Sequence, residues 1–411
     1  MDDHEIPHHF ICPISLQIMK DPVTVATGIT YDRDSIQRWQ SHGQNNTICP
    51  VTNQPLPIAS DFTPNHNLRR LIEAWCVSVS NESPQAKETS LEMKVLAINL
   101  VKKLKLRETQ LESLKSIESL VVESEQYRFC FKEVGVVRAL VKVLVSCYRD
   151  SKIVCLKEAL NVLYLVRITP DETCVILSEY DRIMSSLTWV LDLDRNNGCD
   201  DIDIYTTMKF HAIVLLKDFI HNAKPHVLER LNRDFFKTIV RESKHLGQAG
   251  MKEGLRVMLT TCTWPRNCSM MIESGAIFAL IELELGSPEK AITELIMGVL
   301  FHLCSSADGR AQFLAHAASI AMITKRIGKV SPKVDERALM IISLISKFSA
   351  TDGVLQEMAR VGTVEKLCMV LQVNGRHSYP RDKAREILKR HSNVWKDSPC
   401  LDVTLLTWYP S

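Results

Sequence analysis

Two tetrapeptides near the N-terminus, Cys12-Pro13-Ile14-Ser15 and Cys49-Pro50-Val51-Thr52, repeat one order of groups: a thiol, a rigid proline, an apolar residue and a hydroxyl. Thiols at such turns raise the question of zinc, which takes four nitrogen or sulfur ligands at each structural site. Residues 6–80 supply Cys12, Cys49 and Cys76 with His8, His9, His42 and His66, at spacings that close no pair of tetrahedra. The expectation is no metal and no other cofactor. His4, His8 and His9 have no cysteine or carboxylate set beside them in sequence, and read as a polar N-terminal tail. A unit of about 70 residues without a metal has a marginal core. Hydrogen bonds and ion pairs must replace the ion, and Ser15, Thr52, Asp21, Asp32, Arg33 and Asp34 are the polar groups near the two turns.

The elements that would position these turns are short. Residues 6–80 hold prolines 7, 13, 22, 50, 55, 57 and 64 with Gly28 and Gly43. Val23 to Tyr31, β-branched around Gly28, predicts a hairpin; Asp32 then caps a helix through Ile36 and Trp39 towards Gly43. A second helix is expected to start at Thr63-Pro64, with Leu68, Leu71, Ile72 and Trp75 on one face. The same Thr63-Pro64 pair fits a proline-directed kinase site. The domain limits read as 6–80, a polar linker at 81–90, helical repeats over 91–395 and a tail over 396–411.

Beyond the linker the pattern turns all-α, as in Leu96, Leu100, Leu104, Leu111 and Leu114. A small residue followed by an apolar helix recurs at Gly135, Gly275, Ala317 and Gly362, with degenerate starts near Asp181 and Asp234. A helical period of roughly 40–47 residues belongs to the HEAT and armadillo class. Such units stack into one continuous core and leave an extended binding surface. Lys102, Lys103, Lys105 and Arg107 read as a solvated helix face. Asp192 to Asp201 read as an acidic surface loop.

With 50 Lys and Arg against 48 Asp and Glu, the net charge of +2 exerts no global pull on nucleic acid or anionic membrane. The N-terminus lacks a secretory pattern, and no run of 18 apolar residues occurs, so a soluble cytoplasmic chain without a transmembrane segment is expected. The 13 cysteines are irregularly spaced within apolar patterns, and read as reduced and buried.

Each Cys-Pro turn is similar to the Cys-Pro-x-Cys turn of a zinc-binding RING with its second thiolate replaced by a hydroxyl. Phe10 to Leu16, Met19 to Val23, Gly28 to Arg33, Cys49 to Thr52 and Pro64 to Ile72 together resemble the U-box family, and the repeats behind them the plant U-box armadillo ligases. The segment Lys389 to Cys400 looks like a branch of that group associated with immune and stress signalling. The resemblance implies a small α+β U-box, a zinc-free RING-like fold, followed by an all-α armadillo/HEAT-like superhelix. It implies a RING-type E3 ubiquitin transferase with no covalent ubiquitin intermediate, partnered by a ubiquitin-charged conjugating enzyme (E2) and by protein substrates on the repeats.

Carried over by position, Ile14 and Leu16 would be the apolar contacts of the first loop, Trp39 the aromatic of the central helix and Pro50 the wall of the second loop. Cys12, Ser15, Asp21, Pro22, Tyr31, Cys49 and Thr52 would be structural. Where many RING and U-box domains carry an Arg or Lys linchpin, this chain has Asn53, which lacks the charge and reach. Two other readings stay open: a scaffold whose U-box-like segment no longer binds the enzyme, and a ligase with its own catalytic cysteine. Whether copies associate as a homo-oligomer is also open.

Overall fold

In a computed structural model of the chain, the β-branched residues around Gly28 form the expected hairpin. Strand β1 (Pro22–Thr24) pairs antiparallel with β2 (Thr30–Asp32), Val23 opposite Tyr31. The turn needs a left-handed residue, and Gly28 supplies it at φ +80°. Residues 7–41, 48–56, 62–79, 84–169, 172, 179–193, 202–223, 225–229, 231–372 and 378–396 are described. Residues 1–93 and 94–411 form two separate units.

In the first unit, helix α1 (Arg33–Ser41) follows β2 directly, and α2 (His66–Val79) follows β3 (Thr63–Pro64). Thr63 and Pro64 do not open the helix; they form β3, paired with β1, and proline at this sheet edge withholds no needed donor. The cap is Asn65, whose Oδ1 accepts from the Leu68 amide at 3.0 Å. Asp32 does not serve as the cap of α1 either. Its Oδ1 accepts the amides of Lys20 and Asp21 at 2.8 and 3.0 Å, closing the approach to β1. The segment read as linker is helical from Pro84 onward, as Pro84–Lys103. Proline at the first helical position sacrifices no bond, and the Gln, Ala, Lys and Glu behind it favour helix.

The core of this unit gathers Phe10, Met19, Val23, Tyr31, Ile36, Leu56 and Ile72 around the two cysteines. Cys12 Sγ accepts the Asp32 amide at 3.3 Å. Cys49 Sγ meets the Tyr31 hydroxyl at 3.0 Å and accepts from Thr27 at 3.4 Å. Burial alone would push the Cys49 thiol up, yet the hydrogen bonds from Thr27 and Tyr31, with the Thr52 hydroxyl and amide close by, bring it down to about 6. Cys12 shows the same balance: burial raises it, and the amides of Asp32, Ser15 and Ile14 with the Ser15 hydroxyl lower it further. Tyr31 moves upward through burial and the neighbouring sulfur. Outside this centre, Asp21 receives Arg33 Nε at 2.5 Å, with Arg69 at 3.8 Å. Asp34, expected in this network, is exposed on the first turn of α1.

The second unit is built of two parallel rows of helices. The long helices Gln110–Glu123, Leu156–Val166, Ile202–His221, Gly247–Thr261, Lys290–Cys304, Pro332–Phe348 and Ser378–Arg390 each pack on the next. A second row, Val136–Asp150, Tyr180–Asp192, Arg233–Glu242, Ala276–Leu285, Ser319–Arg326 and Thr363–Gln372, packs likewise. The starts read from sequence are the starts of this second row. Gly135, Gly275 and Gly362 turn into it with φ of 77°, 78° and 81°, whereas Ala318 enters at −93° without a left-handed residue. Polar contacts fix register between neighbours: Glu284, wholly buried, meets Arg326 Nε at 2.6 Å, and the hydroxyls of Thr324 and Thr363 meet at 2.8 Å. Of the acidic loop read at 192–201, residues 194–201 lie outside the described residues, as does the tail from 397.

At the C-terminal end the Trp395 ring is buried, and its Nε1 donates to the Leu355 carbonyl at 3.1 Å. Trp395→Ala should cost roughly 3–5 kcal/mol, the usual range for a buried tryptophan. Amide exchange in Asp352–Arg360 and Ser378–Arg390 should then accelerate, and unchanged protection would show that the last helices hold without it. In the first unit, the Cys49 thiol is depressed by folding, so its contribution is complete above the free thiol's pKa of about 8.5 and is lost as pH falls through about 6. The urea midpoint of the first unit should therefore rise between those limits, and Cys49→Ser should flatten the rise. A parent protein with a flat profile would contradict the thiolate.

Candidate protein-docking site

The two Cys-Pro turns share one backbone. In the first, the Leu16 amide donates to the Cys12 carbonyl at 2.9 Å and the Cys12 amide to Gln17 at 2.8 Å, under an Ile11–Ile18 bridge. In the second, the Asn53 amide donates to Cys49 at 2.9 Å and the Cys49 amide to Gln54 at 2.8 Å, under an Ile48–Pro55 bridge. Pro13 thus corresponds to Pro50, Ile14 to Val51, Ser15 to Thr52 and Leu16 to Asn53.

The correspondence extends to strain. Leu16 and Asn53 both sit at φ 56°. Asparagine tolerates that left-handed region, while leucine pays about 1–2 kcal/mol for it. Leu16 is also 78% exposed. A bulky apolar side chain held in water in a strained conformation contributes nothing to the core of the unit.

The remaining candidates divide by burial. Ile14 is half-buried and packs on the core, so it serves the fold as well as the surface. Trp39 is 37% exposed, and its Nε1 donates to the Ile48 carbonyl at 3.2 Å, joining α1 to the base of the second turn. Pro50 is half-buried, and Asn53 exposed, at the second turn. Cys12, Tyr31, Cys49 and Pro22 are buried, while Asp21 is partly buried and ion-paired. The Thr52 hydroxyl is buried without a well-aligned partner, beside the Cys49 sulfur that it helps to acidify. Ser15 is exposed.

Two exposed apolar residues escaped the sequence reading: Ile48 and Val51. Aligning the tetrapeptides on their cysteines would have flagged Val51, the counterpart of Ile14. Ile48 carries no such signal, because its exposure depends on how the second turn leaves α1. His8 and His9 are exposed on a short helical turn, and His4 lies outside the described residues. Among the described residues no cluster of three metal-ligating side chains occurs. Each of the nine described free cysteines is buried, so none of them presents a nucleophile to a thioester. Among the described residues no helix is long and apolar enough to cross a membrane.

Residues 6–81 match the family model of the U-box domain, and residues 95–411 that of the plant U-box protein ARM repeat region. The E3 ubiquitin-protein ligase PUB24 of Arabidopsis thaliana is 39% identical, across 99% of this chain and 96% of its own. PUB23 of the same plant is 36% identical, across 100% of this chain and 98% of its own. Among solved structures, an engineered protein aligns over 84% of this chain and 82% of its own at TM-score 0.52 and 16% identity, a likeness of fold alone. With both units matched in order and full-length relatives in hand, the chain belongs to the plant U-box armadillo-repeat E3 ubiquitin-protein ligases.

Proposed function

We propose that the two turns and α1 dock a ubiquitin-conjugating enzyme, with Ile14, Leu16, Trp39, Pro50 and Val51 as contacts. The observation that carries this reading is Leu16, apolar, exposed and strained at the tip of a turn closed by the Leu16–Cys12 and Cys12–Gln17 backbone bonds. A few apolar and aromatic anchors suffice for a transient interface. The module acts by orientation, holding the conjugating enzyme's thioester in an attack-ready geometry. The armadillo repeats present the protein to be modified. The resemblance of the segment after Lys389 supports a role in plant stress or immune signalling, and the absence of an apolar span among the described helices is compatible with action in the cytoplasm.

Leu16→Ala should leave stability within about 0.5 kcal/mol of the parent, because the side chain has left the core. It should nonetheless cut ubiquitin-chain formation by about tenfold or more in a reaction with E1, a panel of conjugating enzymes and ubiquitin. Ile14→Ala should lower both activity and stability. Unimpaired chain formation by Leu16→Ala would remove the first turn from the interface. At Asn53, arginine would restore a charged donor of long reach at the cost of about 1 kcal/mol of left-handed strain. Asn53→Arg should speed discharge of the charged conjugating enzyme onto free lysine, while an unchanged or slower rate would deny this position a role in activation.

A further inference from the structure

In the helical unit, the end of the helix Pro84–Lys103, the helix Val136–Asp150 and the segment after it enclose a groove of about 890 Å³. Lys105, Arg107, Arg138, Lys142, Arg149 and Lys152 line it, against a single carboxylate, Asp150. Asp150 is already committed to Arg107 at 2.9 Å and Arg149 at 3.3 Å. Lys105, Arg138 and Lys142 are exposed with no ion pair among the described residues, and Lys152, also exposed, acts on Asp150 only through space. Elsewhere the repeats pair such charges within a helix, as in Arg256–Glu253, Arg360–Glu357 and Lys383–Glu386. On a chain of net charge +2 this concentration is local. Lys102 and Lys103, on the last turn of their helix, are solvated as expected, but Lys105 and Arg107 belong to the groove rather than to a free helix face.

Like charges across a concavity repel, and the groove's one carboxylate, Asp150, is already shared between Arg107 and Arg149. The floor is apolar, with Val101, Leu104 and Val143. We propose that this groove binds an acidic peptide segment of a partner protein, its carboxylates on the cations and one apolar side chain on the floor. A cleft of this volume suits an extended chain, whereas a planar headgroup layer cannot follow it inward. The site lies within the helical unit and does not depend on ligase activity.

The test uses the full-length chain and fluorescence anisotropy of a labelled heptapeptide with six glutamates around one leucine. Its glutamine counterpart and vesicles of phosphatidylcholine with phosphatidylserine serve as comparisons. The glutamate peptide should bind about tenfold tighter than the glutamine peptide or better, and weaken as salt is raised. Arg138→Glu with Lys142→Glu should abolish that preference without shifting the melting temperature, because neither side chain holds an internal partner. Lys105→Gln with Lys152→Gln, which introduces no new charge, should weaken binding in the same direction and carries the test should the first pair misfold. Equal affinity for the two peptides, affinity untouched by these substitutions, or binding to vesicles alone would each overturn the proposal.

Discussion

Two adjacent residues of β2 hold the N-terminal unit together. Tyr31 sends its phenol to the sulfur of Cys49, and Asp32 offers its amide to the sulfur of Cys12. Neighbours on a strand point to opposite faces, so two side chains could not both reach inward; one side chain and one backbone amide can. The two turns therefore take their positions from a single dipeptide. In a metal-bound unit an ion would gather donors from both sides. Here each sulfur is the acceptor, and hydroxyls and amides supply the protons, which is why a Ser or Thr in place of a second thiol is an advantage.

This arrangement separates what stabilises the unit from what it presents. The sulfurs, Tyr31 and the core face inward, while the backbone of each turn bonds to itself across the Cys–Gln pair. From the tips of the turns Leu16 and Val51 stand out into solvent. Ile14 and Trp39 sit at the boundary: Ile14 half on the core, Trp39 hydrogen-bonded to the second turn. Turns whose backbones bond to themselves present these side chains in a fixed geometry.

The helical unit follows a different logic. Each helix buries its apolar face only against its neighbours, so stability accumulates along the rows and both ends need closure. Trp395 ties the segment after Arg390 to the helix Asp352–Arg360. Buried polar pairs such as Glu284 with Arg326 add little net stability but penalise any slip between repeats, because a slip would strand a charge in the core. The cationic groove is the counterexample, a place where six cations gather around one carboxylate.

Local and periodic features were legible in the sequence. The two Cys-Pro turns, the hairpin around Gly28 and the repeat starts at Gly135, Gly275 and Gly362 follow from residue type and spacing, since each depends on φ, side-chain period or a neighbour a few positions away. What required the tertiary structure was competition for the same partners across longer separations. Asp32 was drawn to the amides of Lys20 and Asp21, Asn65 took the cap from Thr63, and Thr63 and Pro64 were recruited by β1. The exposure of Leu16 and the gathering of Lys105, Arg138, Lys142 and Lys152 around one groove belong to the same class. Spacing determines which groups can bond locally; only the packed chain decides which of several acceptors each donor reaches, and which side chains are left facing water.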